Sequence, residues 1–133
     1  MVSQDKVQNK QMSSTVNLSS IMIGTAQAQA LAGFYEKVFG RPADMTEGGS
    51  FVWTGANGAL MVGEHSEVKG QSKEPARMIL NMETKQVKEE FARLKALKVT
   101  VIKEPYELGG GWIATLADPD GNFVQLVTPW DMN

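Results

Sequence analysis

Gly110-Gly111-Trp112-Ile113-Ala114-Thr115-Leu116-Ala117-Asp118-Pro119-Asp120-Gly121-Asn122-Phe123-Val124-Gln125-Leu126-Val127 reads as strand, tight turn, strand. Trp112 to Ala117 is rich in β-branched and aromatic residues. Asp-Pro-Asp-Gly is turn chemistry: Pro119 presets φ, the aspartates accept local backbone hydrogen bonds, and Gly121 takes a positive φ without steric cost. Phe123 to Thr128 alternates again, with Gln125 as its one polar inner residue. The stretch is a hairpin near the C-terminus, and its pairing partner decides the fold.

Working back from this hairpin, the same order of elements occurs twice. Val16 to Ile23 is a strand, and a helix follows in which Leu31, Phe34, Tyr35 and Val38 fall at i, i+3, i+4, i+7. Gly40 and Pro42 end it. Phe51–Thr54 and Ala59–Gly63 are short strands joined by a turn whose Asn57-Gly58 is a hairpin signal. Residues 65–75 are polar and read as a linker. Then Arg77–Met82 is a strand, and Thr84–Leu97 is a helix with Val87, Phe91 and Leu94 on one face and Thr84 as its cap. Val99–Glu104 is a strand stopped by Pro105, and the hairpin closes the chain. Each half is a βαβββ unit with too little core of its own, so the pair is expected to fold as one α+β domain. Module one covers about 16–64 and module two about 76–130. Residues 1–15 are polar, without period, and read as a flexible arm.

The composition narrows the function. The chain has 133 residues, no Cys, a net charge of −2 and no basic stripe. Disulfides and thiolate metal sites are excluded, and no nucleic-acid partner is expected. No apolar run approaches the roughly 20 residues of a membrane span, and the N-terminus lacks a signal-peptide core, so no membrane partner and a cytoplasmic location are expected. Eight Met residues give soft, adaptable apolar surface.

Strand parity divides the inner residues into two sets. Ile21 and Ile23, Met78, Leu80 and Met82, and Val124 and Leu126 are expected under the helices. Ser20 and Met22, Arg77, Ile79 and Asn81, and Phe123, Gln125 and Val127 fall on the other face. An apolar face carrying a few polar groups is the composition of a ligand cavity. A second core with those groups satisfied internally is the alternative, and the residue chemistry leaves both open. Trp53 and Trp112 lie on strands expected to line the cavity, where flat rings suit a planar ligand. Glu64 shares parity with Val62 and is expected to reach the cavity. His65, the only histidine, follows it and reads as a solvated residue. As an acid–base pair, Glu64 and His65 are the catalytic candidates. Gly109–Gly111 is a flexible loop with no following Lys-Ser/Thr, so it is not a phosphate loop; it suits a lid. Asp118 and Asp120 open like a calcium loop but lack the later ligands, and read as a turn. Trp130 reads as a packing or dimer contact.

Leu31-Ala-Gly-Phe-Tyr-Glu-Lys-Val-Phe-Gly40 resembles the first-helix signature of the vicinal oxygen chelate superfamily, the glyoxalase, bleomycin resistance and extradiol dioxygenase group. Asp118-Pro-Asp-Gly-Asn-Phe-Val-Gln-Leu126 resembles that group's last hairpin, and Phe91–Leu97 fits its second helix. The resemblance runs from about Leu18 to Pro129 and is closest to the small glyoxalase-like branch. It implies two βαβββ modules forming a U-shaped mixed sheet around a cavity, helices outside, commonly in a homodimer. Metal-dependent members resemble one another in placing His or an acid on four strands. Carried over to this chain, those positions are Ser20, Val62, Arg77 (or Met78) and Gln125. None suits a hard divalent ion. A guanidinium about 4 Å from a dication would oppose it by on the order of 8 kcal/mol at an effective dielectric near 20. No metal and no cofactor are therefore expected. The sequence reading is a protein that binds a small apolar or aromatic, anionic molecule: Met22, Trp53, Val62, Ile79, Trp112 and Phe123 give contact area, Arg77 pairs with the anion, and Ser20 and Gln125 orient it. The alternatives are a divalent-metal lyase, isomerase or dioxygenase of the same superfamily, and a dimeric interaction module without catalysis.

Overall fold

The computed structural model describes residues 13–129. Most of the arm read at 1–15, and the contact read at Trp130, lie outside the described residues. The elements run β1 (Ser20–Thr25), α1 (Ala28–Phe39), β2 (Met45–Glu47), β3 (Ser50–Gly55), β4 (Gly58–Glu64), β5 (Leu80–Glu83), α2 (Val87–Ala96), β6 (Thr100–Leu108), β7 (Gly111–Ala117) and β8 (Phe123–Val127). They form two four-stranded mixed sheets, ordered β1-β4-β3-β2 and β5-β8-β7-β6. The duplication is complete in topology: β1 runs parallel to β4, as β5 does to β8, and the remaining pairs are antiparallel. The paired βαβββ modules of an α+β vicinal oxygen chelate fold are thus present.

Local chemistry repeats as well. Ahead of α1, Thr25 Oγ1 accepts the Gln27 N–H at 3.0 Å; ahead of α2, Thr84 Oγ1 accepts the Gln86 N–H at 3.0 Å. Both threonines shape the entry turn two residues upstream. Thr84 is therefore not the cap itself, and α2 starts three residues later than the sequence reading placed it. Gly40 ends α1 in the left-handed conformation, φ 72°, with its N–H on Glu36 O at 2.9 Å.

Helix stripe and strand parity meet in the core. Leu31, Phe34 and Tyr35 of α1 and Val87, Phe91 and Leu94 of α2 are buried with Leu60, Val62, Ala114, Leu116, Val124 and Leu126 in one cluster that draws on both sheets. Across that cluster the modules are tied by polar contacts. The Tyr35 hydroxyl donates to Asp118 Oδ2 at 2.7 Å, Gln27 Nε2 donates to Asp120 Oδ1 at 2.7 Å, and Arg93 donates to the Lys37 and Val38 carbonyls at 2.8 and 3.1 Å. Asp118 also builds its own turn: Oδ1 accepts the N–H groups of Asp120 and Asn122, both at 2.9 Å. With Asn122 Nδ2 added on Oδ2, both oxygens of Asp118 are committed to protein donors. The Asp-Pro-Asp-Gly segment is a turn and a latch between modules.

Strand boundaries also differ from expectation: β1 is Ser20–Thr25, not Val16–Ile23. β6 continues through Pro105 because it is an edge strand with register shifts between Val101 and Lys103 and between Lys103 and Tyr106, where a missing N–H breaks no ladder bond. β5 begins at Leu80, not Arg77, because residues 74–77 close a turn in which the Arg77 N–H bonds Glu74 O at 2.9 Å. β2, a three-residue edge strand, was not foreseen. Among the described residues, no helix is long and apolar enough to cross a membrane.

Candidate functional site

An open cleft of about 1590 Å³ lies between the modules. One wall is the start of β1 and the β3–β4 turn. The other is β5, the end of β8 and the β6–β7 hairpin. β1 and β5 are the edges of their sheets, each hydrogen-bonded to a single neighbour. The end of α1 and the middle of α2 complete the lining.

The cleft brings together Ser20, Trp53, Ile79, Trp112 and Gln125 of the residues singled out in the sequence. Gln125 faces Asn81 across the β5–β8 pair. Trp112 is half-buried at the foot of the β6–β7 hairpin. Its N–H donates to Thr128 Oγ1 at 2.9 Å, and its C=O accepts the Thr128 N–H at 3.1 Å. Its ring carries the Lys88 ammonium 4.2 Å from the centroid, so it stands on the helix side of its sheet, the face opposite the one that carries Gln125. Trp53 is a core residue that only borders the cleft. It is 2% exposed, stacks on Phe39 with centroids 5.6 Å apart, and donates from Nε1 to Arg41 O at 3.0 Å.

The remaining expected site residues are elsewhere. Val62 is fully buried in the core: it pairs with Ile23 of β1 and shares the helix-facing side with Leu60. Glu64 follows Val62 in parity, as read, but that parity points to the helix. Its Oε2 accepts the Ala28 N–H at 3.0 Å, in the first turn of α1, where a carboxylate complements the helix dipole. His65 is exposed. Its Nδ1 accepts the Glu67 N–H at 3.2 Å, and its backbone N–H bonds Thr25 O. Neither Glu64 nor His65 lines the cleft. Arg77 is exposed, outside the cleft, and paired with Glu74 Oε1 at 2.7 Å. Met22 lies on the sheet face away from α1, as expected, but is 52% exposed and outside the cleft. Phe123 is half-buried at the far end of β8, opposite Ala117.

Sequence reasoning missed the other cations on the cleft. Arg41 and Arg93 line it, and both are committed. Arg41 binds Asp44 and donates to Thr54 O at 2.7 Å, and Arg93 pairs with Glu90 at 2.8 Å and caps the carbonyls of α1. Asp44, the partner of Arg41, has a lowered pKa. Hydrogen bonds from the Arg41 guanidinium, the Thr54 N–H and the Thr54 hydroxyl hold its carboxyl down to about 2. The Tyr35–Asp118 pair was also missed. Its one signal was a phenol inside an otherwise apolar helix stripe, which needs a buried acceptor.

The donor set does not fit the divalent ion that the superfamily resemblance brings to mind. Of the positions carried over for it, Ser20 and Gln125 are neutral, Val62 is in the core and Arg77 is in solvent. Among the described residues no three His, Cys, Asp or Glu side chains are grouped to hold a metal.

The glyoxalase-like domain family matches residues 20–127. A glyoxalase/bleomycin resistance protein from Albidiferax ferrireducens T118 superposes with a TM-score of 0.69 at 18% identity, over 84% of this chain and 98% of that one. A glyoxalase/bleomycin resistance protein/dioxygenase family enzyme from Burkholderia phytofirmans PsJN gives 0.67 at 24% identity, over 85% and 98%. Lactoylglutathione lyase from Agrobacterium tumefaciens gives 0.65 at 18% identity, over 84% and 92%. These likenesses show a shared fold. No curated protein matches. The match covers both βαβββ modules from the first residue of β1 to the last of β8, and the chain belongs to the glyoxalase-like domain family.

Proposed function

We propose that the chain binds a small apolar or aromatic molecule in the cleft between its modules, without a resident metal. The observation that carries this reading is the lining. Ile113 and Val127, with Ile79 beside them, supply apolar surface on the sheet face that carries Asn81 and Gln125; Ser20 lines the opposite wall, and the charged Arg41, Glu83, Glu90 and Arg93 also line the cleft. A mostly apolar concavity with few polar groups is the usual make-up of a ligand site. The metal-free part rests on the donor set, which offers no anionic ligand at the carried-over positions. The anionic ligand expected from the sequence depended on Arg77, which the fold spends on Glu74. A divalent-metal enzyme gains no support from Glu64 or His65, the first a partner of the α1 N-terminus and the second a surface residue.

The test is a thermal-shift screen of small aromatic compounds on the wild type and on Ile79→Arg, which fills the cleft from a half-buried position outside the core. Compounds that raise Tm in the wild type are expected to lose that effect in Ile79→Arg. A screen in which nothing raises Tm, or in which every hit acts equally on the variant, overturns the reading.

A second copy of the chain belongs to the same proposal. β1 and β5 are open edges, and Leu18, Met22 and Met78 beside them are 86%, 52% and 74% exposed. Open edges flanked by exposed apolar side chains are the kind of surface that proteins cover. Because the modules are duplicates, the β1 edge of one copy and the β5 edge of another meet twice about a single two-fold axis. Light scattering is expected to return twice the chain mass, and Met22→Glu to return the chain mass. A wild-type monomer removes the dimer from the account.

A further inference from the structure

We infer that the molecule held in the cleft is recognised through a neutral hydrogen-bonding edge, a carboxamide or lactam on a flat apolar body, and that Asn81 and Gln125 read that edge. The inference rests on the cleft being the ligand site and adds what the ligand must carry.

Asn81 of β5 and Gln125 of β8 are register partners, and both line the cleft. Among the described residues, the side chain of neither makes a hydrogen bond; Gln125 is half-buried and Asn81 is exposed, whereas Asp118 and one oxygen of Asp120 on the same hairpin are engaged in turn or latch contacts. Each amide offers one carbonyl acceptor and an NH₂ donor. Side by side they present donors and acceptors together, which complements a group that itself carries both. A carboxylate offers acceptors only, so it would leave the two amide carbonyls without a donor.

The charges around the pair argue the same way. Glu83, which makes no ion pair among the described residues, lines the cleft two residues beyond Asn81 on the same face of β5, whereas Glu90 is neutralised by Arg93. An anion there meets like charge. The lining cations, Arg41 and Arg93, are held by Asp44 and Glu90 and by backbone carbonyls, so neither is available without breaking an ion pair. Lys88 stands over the Trp112 ring and is not a lining residue. The apolar body is provided for by Ile113 and Val127, on the sheet face that carries Asn81 and Gln125, with Ile79 beside them.

Isothermal titration of the full chain with 2-naphthamide and 2-naphthoate, which share a ring system and differ in the head group, tests this. The amide is expected to bind about tenfold tighter than the carboxylate, the range of one or two net hydrogen bonds. Gln125→Met and Asn81→Ala are each expected to lower the amide's affinity about five- to tenfold while leaving the carboxylate within twofold. Unchanged thermal melts would show that both variants are folded. Equal or tighter binding of the carboxylate, or an amide affinity unmoved by both variants, overturns the inference and leaves the cleft as a ligand site. Binding of neither compound, joined to a screen without hits, overturns the cleft reading and this inference with it.

Discussion

Tyr35 and Asp118 make a buried side-chain hydrogen bond between the modules. The phenol is fully buried, and burial first, then the Asp118 charge and hydrogen bond, then the Asp120 charge, hold its ionisation far above the ordinary phenol range. A raised pKa in the folded state means that the contribution to stability is fully present below the unfolded value of about 10 and is lost progressively as pH rises from there toward the folded value, because the unfolded phenol ionises first. Stability to urea is therefore expected to fall from pH 9.5 upward in the wild type. Tyr35→Phe removes a charge-assisted hydrogen bond and is expected to cost about 1.5–3 kcal/mol at neutral pH. Its stability is expected to change less than the wild type's above pH 10. A wild type as stable at pH 11 as at pH 8 contradicts this. Asp44 behaves in the opposite sense. Its folded-state pKa is lowered to about 2, so its contribution is present above 3.8 and is lost as pH falls through about 2. Asp44→Asn is expected to flatten acid unfolding below pH 4, measured by circular dichroism.

At the scale of elements, the helices and the final hairpin were legible because their signals are local. Leu31, Phe34 and Tyr35 keep the 3.6-residue period, and Asp-Pro-Asp-Gly permits little besides a turn. β4 was misread for an equally physical reason. Leu60, Met61 and Val62 are all apolar, so alternation gives no sign of which face is buried, and the position carried over for a metal ligand went to the core. Val62→Asp therefore tests a core position. It is expected to unfold the chain or cost more than about 4 kcal/mol, as burying an unpaired charge does, whereas a position on an open cavity wall would tolerate it. β5 slipped because Arg77, Met78 and Ile79 continue a strand-like pattern, and only the Glu74–Arg77 turn stops it. At β7–β8, Leu116→Ala opens a hole in the cluster shared by both modules, with an expected loss of 2–5 kcal/mol in chemical denaturation.

The whole molecule is where sequence reasoning had least to work with. Duplication of the βαβββ unit could be read from the order of elements, and the family resemblance followed from two motifs. How the two sheets face one another could not, because it is fixed by long-range contacts such as Tyr35–Asp118 and Gln27–Asp120 between residues 83 and 93 positions apart. Hence Ser20, Ile79 and Gln125 line one cleft, while Arg77, Met22 and Phe123, placed with them by strand parity alone, lie outside it. The lining accordingly lacks Arg77 and places Asn81 beside Gln125.

The measurement that bears most directly on this account is backbone amide chemical-shift mapping of the full chain, dialysed against chelator, during titration with 2-naphthamide. The account predicts saturable shifts concentrated at Ser20, Ile79, Asn81, Ile113 and Gln125, small shifts at Val62, Arg77 and Phe123, and no requirement for added nickel, zinc, manganese or iron(II). Shifts that appear only after one of those ions is added, or that centre on residues away from the cleft, would contradict a metal-free ligand site between the modules.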